Sequence, residues 1–510
     1  MWKRFAKVAL ILSCLAFLFA VAKKEDNPKE EVPAIDAIAH ESDEEYNEVA
    51  EEESKPVFEP VFNPNVRVVI RNASFEGLYH KDVLVTSSKP YELLSPKGEL
   101  YAEYDAGDTI SFSSFRMKTG ESLVLKSKEQ ERFSIDSLTR SQGVPFYRGM
   151  LQIYKEDGGY IIVNELPLEE YLLTVVPSEM PSSYPMDALS AQAVCARSYA
   201  YSFIANPGYP QYEAHMDDST SYQVYNNIEE NDDTTQAVRN TQGVILVKDG
   251  MPVSTYFFST SCGITSNEKV WSLKNNENEV MFSPVHVSLA NSEETVAAMT
   301  MEDSKSLYSA QNLCKEEVFS AFISNKNPEN LETNEQWYRW EYQGKLQPVK
   351  LFEKISDIYA EKPEAVRLLK DGEFEAEEPK AFKHIYNVSV AKRLPGGVAD
   401  ELLIETDVAT YLIKSEYYIR KVLADESGTV IRNDKSKVSS MALLPSAYFV
   451  INPRKDSKGN VKSIVLTGGG YGHGVGMSQN GAKCAAQSGM NWKEILSFFY
   501  TNLEMIMIEK

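Results

Sequence analysis

With 510 residues and 43% hydrophobic composition, the chain has room for about two to four domains with sizeable cores. Its formal charge of −22 excludes the basic face that a phosphate backbone requires, so no nucleic-acid partner is expected. The five cysteines form no CxxC pair, and Cys195, Cys262, Cys314 and Cys484 are too scattered to indicate a disulfide framework.

At the N-terminus, Lys3, Arg4 and Lys7 precede an apolar run from Val8 to Ala22, and Lys23 and Lys24 follow it. This is the pattern of an export signal. Ala20-Val21-Ala22 offers a small-x-small cleavage site, whereas Trp2 to Ala22 is just long enough to span a bilayer uncut. The uncut anchor is the preferred reading, with a single pass and the rest of the chain outside the cytoplasm. Acylation at Cys14 is disfavoured because the apolar run continues well past it. From Lys23 to Pro56 the chain is acidic and poor in aromatics, which predicts a disordered tether.

Short β-branched runs at Val66–Ile70, Val83–Val85 and Thr109–Phe112 predict a small β-rich region over 57–150. A strand at Tyr160–Val163 leads into a helical pattern from Leu168 to Val176, which Pro177 is expected to stop. Met186–Ile204 is Ala-rich, with Leu189, Ala193, Ala196, Ala200 and Phe203 at helical spacing, so one side is expected to pack inward. Further strands are expected at Val244–Val247, Val253–Phe258, Tyr386–Val390, Leu402–Glu405 and Ser463–Leu466. Between about 290 and 385 the sequence is charged and irregular, with helical patches and no usable motif. The C-terminal part reads as a strand, a Gly-rich loop at Gly468–Gly476, a helix over Ser478–Gln487 and a second helix opening at Asn491. The whole predicts an α+β ectodomain, with 151–510 as the main functional region and 290–385 as its insert.

Two clusters carry chemistry. In Val175-Val-Pro-Ser-Glu-Met-Pro181, Glu179 is expected in a rigid turn against apolar side chains, where desolvation would raise its pKa as a general acid requires. The N-terminus of the next helix would pull the other way, and on residue type alone helix capping is the better reading. In Gly468–Gly481, six glycines between Gly468 and Gly476 surround Tyr471 and His473, and the loop opens a helix at Ser478. No phosphate-cradle motif is present. Tyr471 suits stacking on a sugar ring and His473 donates or accepts, yet a structural turn and a binding loop fit these residues equally. A nucleophilic Cys195 or Cys262 is disfavoured, since Cys195 lies mid-helix among alanines. A metal site built on His215, Asp217 and Asp218 lacks any HxH or HExxH pair.

Taken together, five strings resemble the stage II sporulation protein D / LytB family over roughly residues 65–505. They are Asn164-Glu-Leu-Pro-Leu-Glu-Glu-Tyr-Leu, Val176-Pro-Ser-Glu-Met-Pro, Ala188-Leu-Ser-Ala-Gln-Ala-Val-Cys-Ala-Arg-Ser-Tyr-Ala, Ser259-Thr-Ser-Cys-Gly and Gly470-Tyr-Gly-His-Gly-Val-Gly-Met-Ser-Gln-Asn-Gly-Ala. That family includes membrane-anchored lytic transglycosylases of endospore formers, which act during engulfment on peptidoglycan strands stripped of their peptides. The resemblance places Glu179 on the catalytic glutamate and Arg197 on an arginine of the glycan groove, where it would hold substrate or tune Glu179. Tyr471, His473, Ser478 and Gln479 would contact the glycan in the same groove. Most glycosidases need two carboxylates, but a lytic transglycosylase needs one, because the muramic sugar's own C6 hydroxyl attacks. Some relatives hold zinc in an H…C…HC stretch before Gln-x-Tyr; here Ser221 and Tyr222 stand in place of His-Cys, so no zinc and no cofactor is expected. The implied partners are glycan strands, the membrane, a cell-wall amidase and a membrane protein. Two other readings are a glycan-binding module that stimulates an amidase, and a structural component docking through 290–385.

Overall fold

The computed structural model describes residues 59–129, 131–273, 280–288 and 307–510. The expected anchor and acidic tether lie outside the described residues, and among the described ones no helix is long and apolar enough to cross a membrane. The architecture is mixed α and β, in two compact units. The first comprises the described residues up to Thr255 together with Leu503–Lys510, and the second Tyr256–Asn502.

The first unit is built on a seven-stranded sheet in the order Met216–Asp217, Asn65–Ile70, Gly159–Pro167, Met150–Glu156, Ser122–Ser127, Tyr91–Leu94 and Leu100–Tyr104. Asn65–Ile70 runs antiparallel to Gly159–Pro167, with Val68 opposite Asn164 and Ile70 opposite Ile162. Val66, Val68 and Ile70 point to one core, while Val69, Ile161 and Val163 pack with Tyr209, Tyr212 and Ala214 on the other face. Burial on both faces explains why Val68–Ile70 and Tyr160–Val163 read as short apolar runs without polar alternation. The β-rich 57–150 stretch therefore shares its sheet with the strands at 150–167, and the chain divides at Thr255 instead.

Helix α1 (Leu168–Glu179) follows directly from the strand ending at Pro167. Leu168, Tyr171, Leu172, Val175 and Val176 repeat at helical spacing and are buried in the main core, each contributing on the order of 1.5–3 kcal/mol. Glu169 and Glu170 suit the positive end of the helix, and the Asn63 side chain accepts from the Glu169 N–H. The helix does not stop at Val176. It runs a further turn past Pro177, because the Ser178 hydroxyl donates to the Thr174 carbonyl at 2.6 Å and the Met180 N–H to that of Val176 at 3.0 Å.

Helix α2 (Met186–Ala205) is buried from Ala188 to Ser202, on all sides rather than one. Its alanines admit close neighbours and its polar groups are matched; the Ser198 hydroxyl donates to the Val194 carbonyl and accepts from the Leu246 N–H. Helix α3 (Asp232–Asn240), capped by Asn231, presents Ala237 and Val238 inward. Val244–Lys248 pairs with the C-terminal strand Glu504–Met507. Of the strand expected at Val253–Phe258, only Phe257–Phe258 is extended in a ladder, because Thr255 turns its hydroxyl to the Cys195 carbonyl of α2.

The second unit contains two five-stranded sheets. In one, Trp340–Lys345 is the central strand, flanked by Thr429–Arg432 and Val461–Gly468. The stretch expected to be an irregular insert thus supplies the middle of a sheet, and its alternation of buried Trp340, Tyr342 and Gly344 with exposed partners is a strand signature. The other sheet places Val366–Lys370, Thr410–Lys414, Ala399–Thr406 and Ile385–Arg393 in that order. The two C-terminal helices, Gln479–Gln487 and Trp492–Phe499, begin on the side-chain caps Ser478 and Asn491.

Candidate functional site

Glu179 is the last residue of α1, not a turn residue. The residue keeps partial solvent contact, yet protein packs closely around its carboxyl. That desolvation raises its pKa from 4.5 to about 7, against a lowering contribution from the Val224 N–H, which donates to Oε1 at 2.7 Å. The C-terminal end of a helix also disfavours negative charge, so the extended α1 works with burial. A carboxyl that is half-protonated near neutrality can give and retake a proton.

Arg197, expected along a groove, is enclosed on α2. Its Nε and Nη2 form a bidentate pair with Glu169 at 2.8 and 2.9 Å, and its remaining donors reach Thr241 Oγ1 and the carbonyls of Val238 and Val244. This pair fastens α2 to the first turn of α1, the helix that ends on Glu179. Glu169 is therefore an internal ion-pair partner, whereas Glu170 keeps solvent contact.

Around His215 the geometry is also internal. Its Nδ1 accepts the Arg67 N–H at 3.0 Å, and burial lowers its pKa to about 4. Asp217 pairs with Arg71, and Asp218 with Arg140. Tyr222 packs against Phe203 and Tyr209, with ring centroids 5.0 and 6.0 Å away. Among the described residues no group of three or more His, Cys, Asp or Glu is arranged to hold a metal.

The remaining expected residues belong to the second unit. Phe257–Phe258 pairs in parallel with Met477–Ser478, and Thr260 exchanges backbone hydrogen bonds with Tyr471, so the Ser259–Gly263 string and the glycine loop form one structure. Gly476 adopts φ +76°, and a Cβ there would fall 2.0 Å from the Tyr256 carbonyl oxygen. At Gly474 it would fall 2.2 Å from the Tyr448 hydroxyl, so both positions demand glycine.

His473 sits among Trp271, Phe258 and Tyr256, with ring centroids at 5.2, 5.7 and 6.3 Å. Its Nδ1 accepts the Val475 N–H, and burial with the nearby Arg420 charge lowers its pKa to about 3, so the imidazole is neutral. Tyr471 lies 4.7 Å from Trp337, and both rings remain partly exposed. Gln479 is partly exposed at the start of its helix.

Ser478 is buried and occupied. It accepts the Gly481 N–H as a cap and donates to Glu332 Oε1 at 2.7 Å. Glu332, itself fully buried, also accepts from the N–H and hydroxyl of Ser261. Burial pushes its pKa up to about 7, partly offset by those hydrogen bonds. Glu332 thus ties two motif strings together from a stretch without a motif, and no local signal marks it. Trp337 was also missed, and the aromatic run Trp337-Tyr-Arg-Trp340 is the sequence signal that could have marked it.

Glu179 and Arg197 lie in the first unit, and Tyr471, His473, Ser478 and Gln479 in the second.

A family model described as stage II sporulation protein matches residues 156–247, and one described as a domain of unknown function (DUF8618) matches 266–476. An uncharacterized protein of Brachyspira hyodysenteriae (strain ATCC 49526 / WA1) is 42% identical over 123 residues, 24% of this chain and 32% of that protein. The amidase enhancer of Bacillus subtilis (strain 168) is 26% identical over 327 residues, 64% of this chain and 39% of that protein. Stage II sporulation protein D of the same organism is 32% identical over 169 residues, 28% of this chain and 47% of that protein. The chain spans less than half the length of each of these relatives. Glu179, Arg197 and the Gln223-Val-Tyr225 segment all fall inside the matched 156–247 domain, and it is through that domain that the chain is similar to stage II sporulation protein D.

Proposed function

We propose that the chain is a cell-wall enzyme, a lytic transglycosylase of peptide-free peptidoglycan strands, with Glu179 as its one acid/base. The observation that carries this reading is the enclosed carboxyl at the end of α1, with its pKa near 7 and a backbone N–H fixing one oxygen. Protonated Glu179 delivers its proton to the glycosidic oxygen, and the bond from that oxygen to muramic C1 breaks. The muramic C6 hydroxyl closes onto C1, and its proton returns to Glu179. No water is consumed and the product carries a 1,6-anhydro end. Trp337, Tyr471 and the aromatic surround of His473 supply ring faces for pyranose stacking, and Gln479 supplies an amide. In this reading the N-terminal apolar run anchors the chain in the cell membrane facing outward, and the setting is engulfment during sporulation.

A second reading is favoured by the similarity to the amidase enhancer, which covers 64% of the chain. Here the protein binds glycan and stimulates a separate amidase without turnover. Incubating the purified chain with denuded glycan strands and analysing the fragments tests both. Anhydro-ended fragments that vanish with Glu179→Gln support the transglycosylase; reducing muramic ends overturn it; retained binding without fragments, joined by faster amidase action, supports the second reading.

A further inference from the structure

We infer that Gln223 and Tyr225 are positioning residues for Glu179: they clamp the peptide between them so that the Val224 N–H is held on the Glu179 carboxyl. This rests on the acid/base role proposed for Glu179. Gln223 is buried, and its Nε2 donates to the Ala196 carbonyl of α2 at 3.0 Å. Tyr225 is buried too, and its hydroxyl donates to Asn164 Oδ1 at 2.8 Å. Asn164 is itself fixed, because its Nδ2 donates to the carbonyls of Arg148 and of Met150, the first residue of the neighbouring strand. The Tyr225 ring packs 4.8 Å from Tyr171 of α1 and 6.0 Å from Tyr147.

The segment is therefore anchored to α2 on one side and to the central sheet on the other, with one free-standing N–H between the anchors aimed at α1. A loop without those anchors would exchange that N–H with solvent. A fixed donor orients the carboxyl for in-line protonation and stabilises its charged form, so the acid neither swings nor holds its proton too tightly.

The charged groups on the surrounding elements are otherwise engaged. Tyr171 stays neutral because burial raises its pKa well above 10, Arg197 is paired with Glu169, and Asp217 and Asp218 are paired with Arg71 and Arg140. The Val224 N–H, 2.7 Å from Oε1, favours the charged form of Glu179 against burial.

The test uses the full chain with Tyr225→Phe and Gln223→Met. Tyr225→Phe keeps the ring contacts and removes only the hydroxyl, with its tie to Asn164 and its interactions with Asn227 and Thr174, so its fold survives even if Gln223→Met fails. The direct readout is the carboxyl carbon titration of Glu179 in glutamate-labelled protein, assigned by its loss in Glu179→Gln. We expect the midpoint to rise by roughly half to one pH unit in Tyr225→Phe. On denuded glycan, the alkaline limb of the pH profile should move up with it and kcat should fall several-fold at unchanged KM. An unchanged Glu179 midpoint in a folded Tyr225→Phe variant overturns the inference, whatever the activity. A raised midpoint in a protein that never cleaves glycan upholds the clamp and fails the transglycosylase reading instead.

Discussion

Replacing Glu179 with glutamine separates its chemical role from its cost to the fold. An ordinary glutamate titrates near 4.5, and burial moves Glu179 to about 7. Below pH 4.5 the folded and unfolded chains both hold this proton, so the group makes no difference. Between pH 4.5 and 7 the unfolded chain releases it while the folded chain retains it, and stability falls as pH rises. Above pH 7 the full penalty applies, up to about 3 kcal/mol at about 1.4 kcal/mol per pH unit. Glutamine cannot ionise, and its carbonyl oxygen can still accept the Val224 N–H. Glu179→Gln is therefore expected to match the parent near pH 4 and to exceed it by up to about 3 kcal/mol at pH 8. Its release of anhydro ends should drop on the order of 10²–10⁴-fold. Urea unfolding at pH 4, 6 and 8, run beside fragment analysis on the same preparations, measures both. A stability difference that does not change with pH would refute the desolvated carboxyl, and retained cleavage would refute the acid/base role.

Glu169→Gln leaves the buried Arg197 guanidinium without its carboxylate, and should lower stability by about 3–5 kcal/mol, whereas the partly exposed Glu170→Gln should stay within about 0.5 kcal/mol; thermal melts of the two variants decide this. Glu332→Ala strands the Ser261 N–H and the Ser261 and Ser478 hydroxyls, which should cost about 1–3 kcal/mol and loosen the glycine loop, read by melting and by proteolysis near Gly468–Gly476. Glu332→Gln, which keeps an acceptor oxygen, should lose less than the alanine variant in the same assays. Elemental analysis of protein purified without a histidine tag should find less than one equivalent of zinc after dialysis, since Ser221 and Tyr222 occupy the positions of a His-Cys pair.

Local pattern determined a good part of this protein. The strands at Val66–Ile70, Val244–Val247 and Ser463–Leu466 and the helices opening at Leu168 and Met186 follow from side-chain periodicity, a short-range property of the backbone. The short strings around Glu179 and Arg197 sufficed to point to the family whose model matches residues 156–247, because motif identity survives without coordinates. What depends on partners distant in sequence was decided only by the tertiary structure. Pro177 did not end α1, since hydrogen bonds to Thr174 and Val176 closed the added turn. Arg197 turned from a groove residue into the partner of Glu169, twenty-eight positions away, because burial of α2 on all sides left its charge nowhere else to go. Trp340–Lys345 became the centre of a sheet by pairing with strands from 429 and 461 onward. Glu332 acquired its role solely from where Ser261 and Ser478 were brought, as no periodicity encodes which distant hydroxyl a buried carboxyl will meet.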